Sequence, residues 1–119
     1  MTTEPTGVIA DYIAAVNAFD TDAIVATFAE DAYINDNRRQ ITGAESIRRF
    51  VAKEFVGDHL TMQVQEVRGH YGDTIVEARY DGTYDKTNLP EELILTSYFS
   101  VRDHRIVSLV IIFNQPAGY

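Results

Sequence analysis

Asp31-Ala-Tyr-Ile-Asn-Asp-Asn-Arg-Arg-Gln-Ile-Thr-Gly43 is the stretch on which the reading of this chain turns. An alanine-rich helical pattern leads into it and a helix start closes it. Ala32, Ile34 and Asp36 alternate, so a strand here aims all three side chains the same way. Two small or apolar neighbours ending in a carboxylate make Asp36 a candidate general base facing a cavity. The plainer reading of the same residues is a polar strand end inside an Asn-Asp-Asn-Arg-Arg run. Arg38 shares the parity of Asp36 and, wherever it stays close, would oppose the basicity that an apolar cavity gives this carboxylate.

Working outward, the residues before this stretch read as helices. Val8, Ile9, Tyr12, Ile13 and Val16 recur at helical spacing and form one buried stripe. Tyr12 lies within it, so its hydroxyl needs an indoor partner or a cavity to point into. Asn17-Ala-Phe-Asp20 breaks this helix, and Asp20 or Thr21 caps a second one running to about Ala29, with Ile24 and Phe28 one turn apart. After the opening stretch, Thr42-Gly-Ala-Glu45 reads as a capping box. The helix it starts buries Ile47, Phe50, Val51 and Phe55 and turns Arg48, Arg49 and Lys53 outward, ending at Gly57-Asp58.

Beyond residue 59 the period becomes two. Leu60, Met62 and Val64 alternate, then Val67, Gly69 and Tyr71 continue on the opposite parity, which predicts a bulge near Gln65-Glu66. Gly72-Asp73 marks a tight turn. Val76, Ala78, Tyr80, Gly82 and Tyr84 form an apolar face opposite Glu77, Arg79, Asp81 and Asp85. A loop over residues 86–92 precedes a strand from Leu93 to Val101, a hairpin turn at Arg102–Arg105 and a last strand from Ile106 to Phe113. That last strand is apolar on both parities, so both of its faces are expected to be covered.

Three helices with one short strand among them, then a long meander, predict an α+β fold. The helices are expected to pack on one side of a strongly curved, mostly antiparallel sheet. Such a sheet leaves a conical pocket suited to a small ligand. At 119 residues the chain fits one domain, residues 1–119, with tails expected at 1–6 and 115–119. Ten Lys and Arg against 18 Asp and Glu give a formal net charge of -8, which argues against nucleic acid or a membrane surface as partner. No basic start followed by an apolar core opens the chain, so no secretory signal is expected. The chain has no cysteine, which excludes disulfides and thiolate chemistry and favours the cytoplasm. His59, His70 and His104 lack ligand-like spacing, so no metal site is expected.

Several phrases carry a family resemblance. Tyr12-Ile-Ala-Ala-Val-Asn-Ala-Phe-Asp20, Phe28-Ala-Glu-Asp-Ala32, Asn35-Asp36, Gly43-Ala-Glu-Ser-Ile47-Arg-Arg-Phe50 and Arg105-Ile-Val-Ser-Leu109 together resemble the nuclear transport factor 2-like superfamily. Within it they are most similar to the SnoaL-like polyketide cyclase and ketosteroid isomerase branch. The resemblance spans about Val8 to Phe113 and implies a cystatin-like α+β roll. It also implies cofactor-free proton transfer next to a carbonyl of a hydrophobic molecule.

Carried onto this chain, the isomerase pattern places its general base at Asp36 and its oxyanion-binding tyrosine at Tyr12. Its second oxyanion donor, a protonated aspartic acid that is a standard illustration of a carboxyl group kept neutral, corresponds to Ser97. A supporting tyrosine corresponds to Val51. These departures put steroid isomerisation itself in doubt while leaving enolate chemistry on another carbonyl compound open. Phe28, Ile34, Phe50, Val64, Phe99 and Phe113 are the expected wall for a flat, hydrophobic ligand. Limonene epoxide hydrolases offer a second comparison, because Arg79-Tyr-Asp81 resembles their Arg-x-Asp pair, though Ile111 stands where they keep a second acid. A module that binds a hydrophobic ligand or dimerises, without chemistry, is the alternative to an enzyme. A homodimer through the sheet is expected in either case. The parity of residues 76–84 discriminates: an inward even face gives an apolar cone, inward Arg79 and Asp81 a hydrolase site.

Overall fold

The computed structural model describes residues 4–113. The tail expected at 115–119 and the first three residues of the N-terminal one lie outside that range.

Helix α1, Gly7–Asn17, buries Ile9, Tyr12, Ile13, Ala15 and Val16, which is the stripe predicted from spacing with an alanine added and Val8 left half-buried at its start. Its last residue ties it to the sheet. The Asn17 side-chain amide donates to the Met62 carbonyl at 3.0 Å and accepts from the Met62 amide at 2.7 Å. Helix α2, Thr21–Ala26, is capped by Asp20, whose carboxylate accepts from the Ala23 amide at 3.0 Å. It stops three residues before the expected end. The Thr27 carbonyl accepts from the Ile106 amide at 2.8 Å, and Phe28 already pairs with Ile106 as the first residue of β1. Pairing with the sheet prevails over one more helical turn, so Phe28 is a strand residue.

Strand β1, Phe28–Asp36, turns through Asn37 and Arg38 into β2, Arg39–Thr42. Both turn residues have positive φ, the twist that suits a tight hairpin. The predicted capping box does not form. Thr42 is paired with Tyr33 in the hairpin, Gly43 takes the N-cap position at φ 88, and Glu45 bonds Arg49 at 3.1 Å. Helix α3, Ala44–Phe50, runs directly into a wider π-helical segment, Val51–Val56. Ile47, Phe50, Val51 and Phe55 are all buried, as their spacing predicts.

The remaining strands are β3 (Thr61–His70), β4 (Asp73–Asp81), β5 (Leu93–Arg102) and β6 (Arg105–Phe113). The six form one open sheet in the order β2-β1-β6-β5-β4-β3. Every neighbouring pair is antiparallel except β1 and β6, so the sheet is mixed. The predicted bulge is present, as the β3–β4 register shifts between Val64 and Glu66. Tyr71 and Gly72, and Asp103 and His104, make the two hairpin turns with positive φ. Three helices on one face of a sheet give the α+β architecture that the element order predicts.

Candidate active site

The second half of β1 aims its even residues inward. Ala32 and Ile34 are fully buried, and the Asp36 side chain at the end of the row is 26% exposed. Asp36 lies on the wall of a cavity of about 400 Å³, within the range of small-molecule sites. Leu60, Leu89, Leu93, Leu95 and Ile111 supply its aliphatic lining. Phe50, Phe55, Tyr80, Tyr84 and Phe113 supply rings, and Asn37, Glu54 and Asp58 join Asp36 as polar groups.

The cation beside Asp36 is Arg39 and not Arg38. Arg38 occupies the hairpin turn and is exposed, whereas Arg39 sits opposite Asp36 in the β1–β2 register. Arg39 Nη2 donates to Asp36 Oδ2 at 2.7 Å and to Glu54 Oε1 at 2.6 Å, and Nη1 donates to Glu54 Oε2 at 2.8 Å. Its guanidinium lies 5.2 Å from the centre of the Phe50 ring. The hydrogen bonds to Glu54 and then to Asp36 raise its already high pKa further. Glu54 reaches this clamp from the π-helical segment, whose wider turn also brings Phe55 against Phe50, with ring centres 5.2 Å apart.

Tyr12 is 1% exposed, and its ring meets Phe99, Phe28 and Phe55 edge-on at 5.4, 5.8 and 6.5 Å. None of the described residues bonds its hydroxyl, yet none of their fully buried side-chain oxygens lacks a partner. The small exposed part of Tyr12 therefore includes the hydroxyl oxygen. Burial raises the pKa of this phenol well above its usual value, with further upward contributions from the charges of Tyr80 and Asp36. The phenol therefore stays protonated at neutral pH, and Tyr12 itself is not among the residues that line the cavity.

Ser97 is 1% exposed and does not reach the cavity wall. Its Oγ lies 3.4 Å from the Tyr80 hydroxyl. Tyr80 lines the cavity in front of it, and its phenol is pushed up to about 12 by burial, against the Ser97 hydrogen bond and with the charge of Asp36. Sequence reasoning had placed Tyr80 on an apolar face and missed it as a donor. The signal was there in the parity it shares with Val76 and Ala78.

Of the expected wall, Phe50 and Phe113 line the cavity. Phe28, Ile34 and Phe99 are instead packed into the core, where Phe28 and Phe99 hold the Tyr12 ring, and Val64 sits half-buried at the β3 bulge. Arg79 and Asp81 are exposed on the outer parity of β4, pairing with Glu92 at 3.8 Å and Lys86 at 2.9 Å. Val76, Ala78 and Tyr80 take the inner face, and Ile111 lies on the cavity wall. The water-activating set of an epoxide hydrolase is therefore not assembled in the cavity. Among the described residues, no group of three or more His, Cys, Asp or Glu is placed to hold a metal ion. No described helix is long and apolar enough to cross a membrane.

A family model described as the SnoaL-like domain matches residues 9–109. A protein from Sinorhizobium meliloti described as a candidate polyketide cyclase has a similar structure, with TM-score 0.74 and 27% identity over 87% of this chain and 92% of its own. An epoxide hydrolase/cyclase-like enzyme of pyran ring formation in salinomycin superposes with TM-score 0.79 at 20% identity, covering 91% of this chain and 88% of its own. A Catenulispora acidiphila protein with a ketosteroid isomerase-like fold, solved with trimethylamine, gives TM-score 0.76 at 18% identity over 90% of this chain and 85% of its own. The last two likenesses concern the fold.

Proposed function

Because this chain belongs to the SnoaL-like family of the nuclear transport factor 2-like superfamily, we propose that it is a cofactor-free enzyme transferring a proton next to a carbonyl. The substrate is a hydrophobic molecule, as in ketosteroid isomerases and polyketide cyclases. The observation that carries this reading is the Asp36 carboxylate on the wall of a ring-lined cavity that Tyr80 also lines, with Tyr12 packed against Phe55 of that wall.

In this reading Asp36 is the general base. Arg39 occupies Oδ2, which leaves Oδ1 to accept a proton from the carbon beside the carbonyl. The electron pair released moves onto the carbonyl oxygen. That oxygen receives hydrogen bonds from Tyr12 and from Tyr80, and Ser97 orients Tyr80 from behind. Donors fixed before the reaction, in a site that excludes water, can each contribute about 3 kcal/mol to an enolate transition state. The proton then returns to another carbon, giving isomerisation, or the enolate carbon attacks a second carbonyl of the same molecule, whose oxygen becomes an alkoxide and takes the proton back from Asp36, giving cyclisation. Relative to the residues carried over by resemblance, Tyr80 takes the donor role and Ser97 supports it.

The test is hydrogen–deuterium exchange beside the carbonyl of planar aryl and polycyclic ketones, followed by NMR. Asp36→Asn is expected to slow enzyme-dependent exchange by about 10²-fold or more. Exchange unchanged by that substitution would leave only a ligand-binding module, the second reading, which the Arg39 clamp on Asp36 favours. A second copy is also proposed to cover the outer face of the sheet. Tyr98 and Ile112 point outward there and remain 38% and 40% exposed, a cost for side chains of this size.

A further inference from the structure

The charge in the cavity lining is one-sided. Asp36, Glu54 and Asp58 carry carboxylates, and among the described residues no lysine, arginine or histidine lines the space. Five of the remaining lining residues present aromatic rings, whose faces attract cations. Arg39, a cation at the rim, is committed to Glu54, Asp36 and the Phe50 ring. Lys86, 5.6 Å from the Tyr84 ring, belongs to the neighbouring groove and is paired with Asp81 at 2.9 Å.

That leaves two unmatched groups of opposite demand. The Asp58 carboxylate has no ion pair or side-chain hydrogen bond among the described residues, since only its backbone carbonyl is engaged, by Thr83. Packed against Phe55 of the cavity wall, Tyr12 is 1% exposed and its hydroxyl has a proton to donate and no acceptor among the described residues. A lone metal ion does not answer the first demand, because these carboxylates do not converge into a metal-holding group. A larger organic cation does, since its charge spreads over several carbons that can lie against rings.

We propose that the substrate is a carbonyl compound bearing a protonated or quaternary amine. Its oxygen faces Tyr12 and Tyr80, and its ammonium group faces Asp58 and the ring of Tyr84. This rests on the proton-transfer reading of Asp36 and Tyr12. The formal net charge of -8 adds a long-range field that draws a cation in and turns an anion away.

The test uses three para-substituted acetophenones, bearing tert-butyl, trimethylammonio or carboxylate groups. The first two have nearly the same shape, so their difference isolates charge. Titration calorimetry with the full chain at low salt is expected to show the trimethylammonio ketone binding about tenfold tighter than the tert-butyl one, and the carboxylate weakest. Asp58→Asn is expected to shrink that tenfold ratio to about twofold. A trimethylammonio ketone no tighter than its tert-butyl isostere overturns the proposal, as does absence of binding by all three. So does an advantage that survives Asp58→Asn intact. The two readings fail separately. If the tert-butyl ketone exchanges its hydrogens and charge brings no advantage, only the cation preference is lost. If the cation binds tighter but neither ketone exchanges, the preference stands and proton transfer is wrong.

Discussion

Replacing Tyr12 by phenylalanine separates a catalytic tyrosine from a structural one by the sign of the stability change. The substitution keeps the ring and so keeps its edge contacts with Phe28, Phe55 and Phe99. It removes a hydroxyl that sits in a side chain only 1% exposed and that makes no hydrogen bond among the described residues. A hydroxyl with no protein partner and only a sliver of solvent contact costs the folded state about 1 kcal/mol, so Tyr12→Phe should gain roughly that amount. An unfolding entropy of about 2.1 cal/mol/K per residue gives about 0.25 kcal/mol/K for a chain of this length. The gain then reads as a rise in Tm of about 4 °C. Exchange beside the carbonyl should meanwhile fall by about 10²-fold, the usual effect of losing one oxyanion donor. Calorimetric melting and the NMR exchange assay on the same preparation decide it. A Tm that drops by several degrees would show the hydroxyl bonded in the folded state. Unchanged exchange would refute its role as donor.

Alkaline titration gives a second expectation. Burial raises the phenols of Tyr12 and Tyr80 above their unfolded value, the latter to about 12. Above pH 10 the folded state therefore holds more protons than the unfolded one, and stability is full below pH 10 and lost as pH rises toward 12. Tyr80 alone accounts for up to about 3 kcal/mol of that loss, so Tyr80→Phe should flatten urea-melt stability across this window. At Gly82 an added Cβ would lie 2.6 Å from the Asp58 carbonyl and 3.0 Å from the Tyr84 ring. Gly82→Ala should push the 82–84 segment off that carbonyl, cost about 1–3 kcal/mol and weaken aryl ketone binding, and an unchanged melt and affinity would contradict this. Ile112→Arg on the outer sheet face should convert a dimer to a monomer in sedimentation experiments, and a wild-type chain already monomeric at high concentration would remove the proposed second copy.

Helices α1 and α3 and the meander were legible because each announces itself through a period along the chain. The Tyr12 stripe, the buried Ile47-to-Phe55 face, the bulge after Val64 and the two hairpin turns all follow from spacing and turn chemistry over a few residues. So did the inward parity of Ala32, Ile34 and Asp36. Where sequence reading failed, a partner distant in the chain decided the outcome. Phe28 left its helix because β6 offered it a strand to pair with, and Thr42 gave up its cap because β2 used it first. Neither competitor is visible within a local window.

The same division runs through the site. From the residues alone come a carboxylate at the end of an inward row, a tyrosine on a buried stripe and an acidic chain without cysteine. Only the fold decided that Arg39 rather than Arg38 holds that carboxylate, that Tyr80 stands in front of Ser97, and that Arg79 and Asp81 face away. The physical reason is one of range. Periodicity fixes which face of its own element a side chain takes, whereas hydrogen bonds and ion pairs act over about 3 Å. Whether two such faces come within that distance depends on strand order, register and the packing of helices on the sheet, which no single element contains.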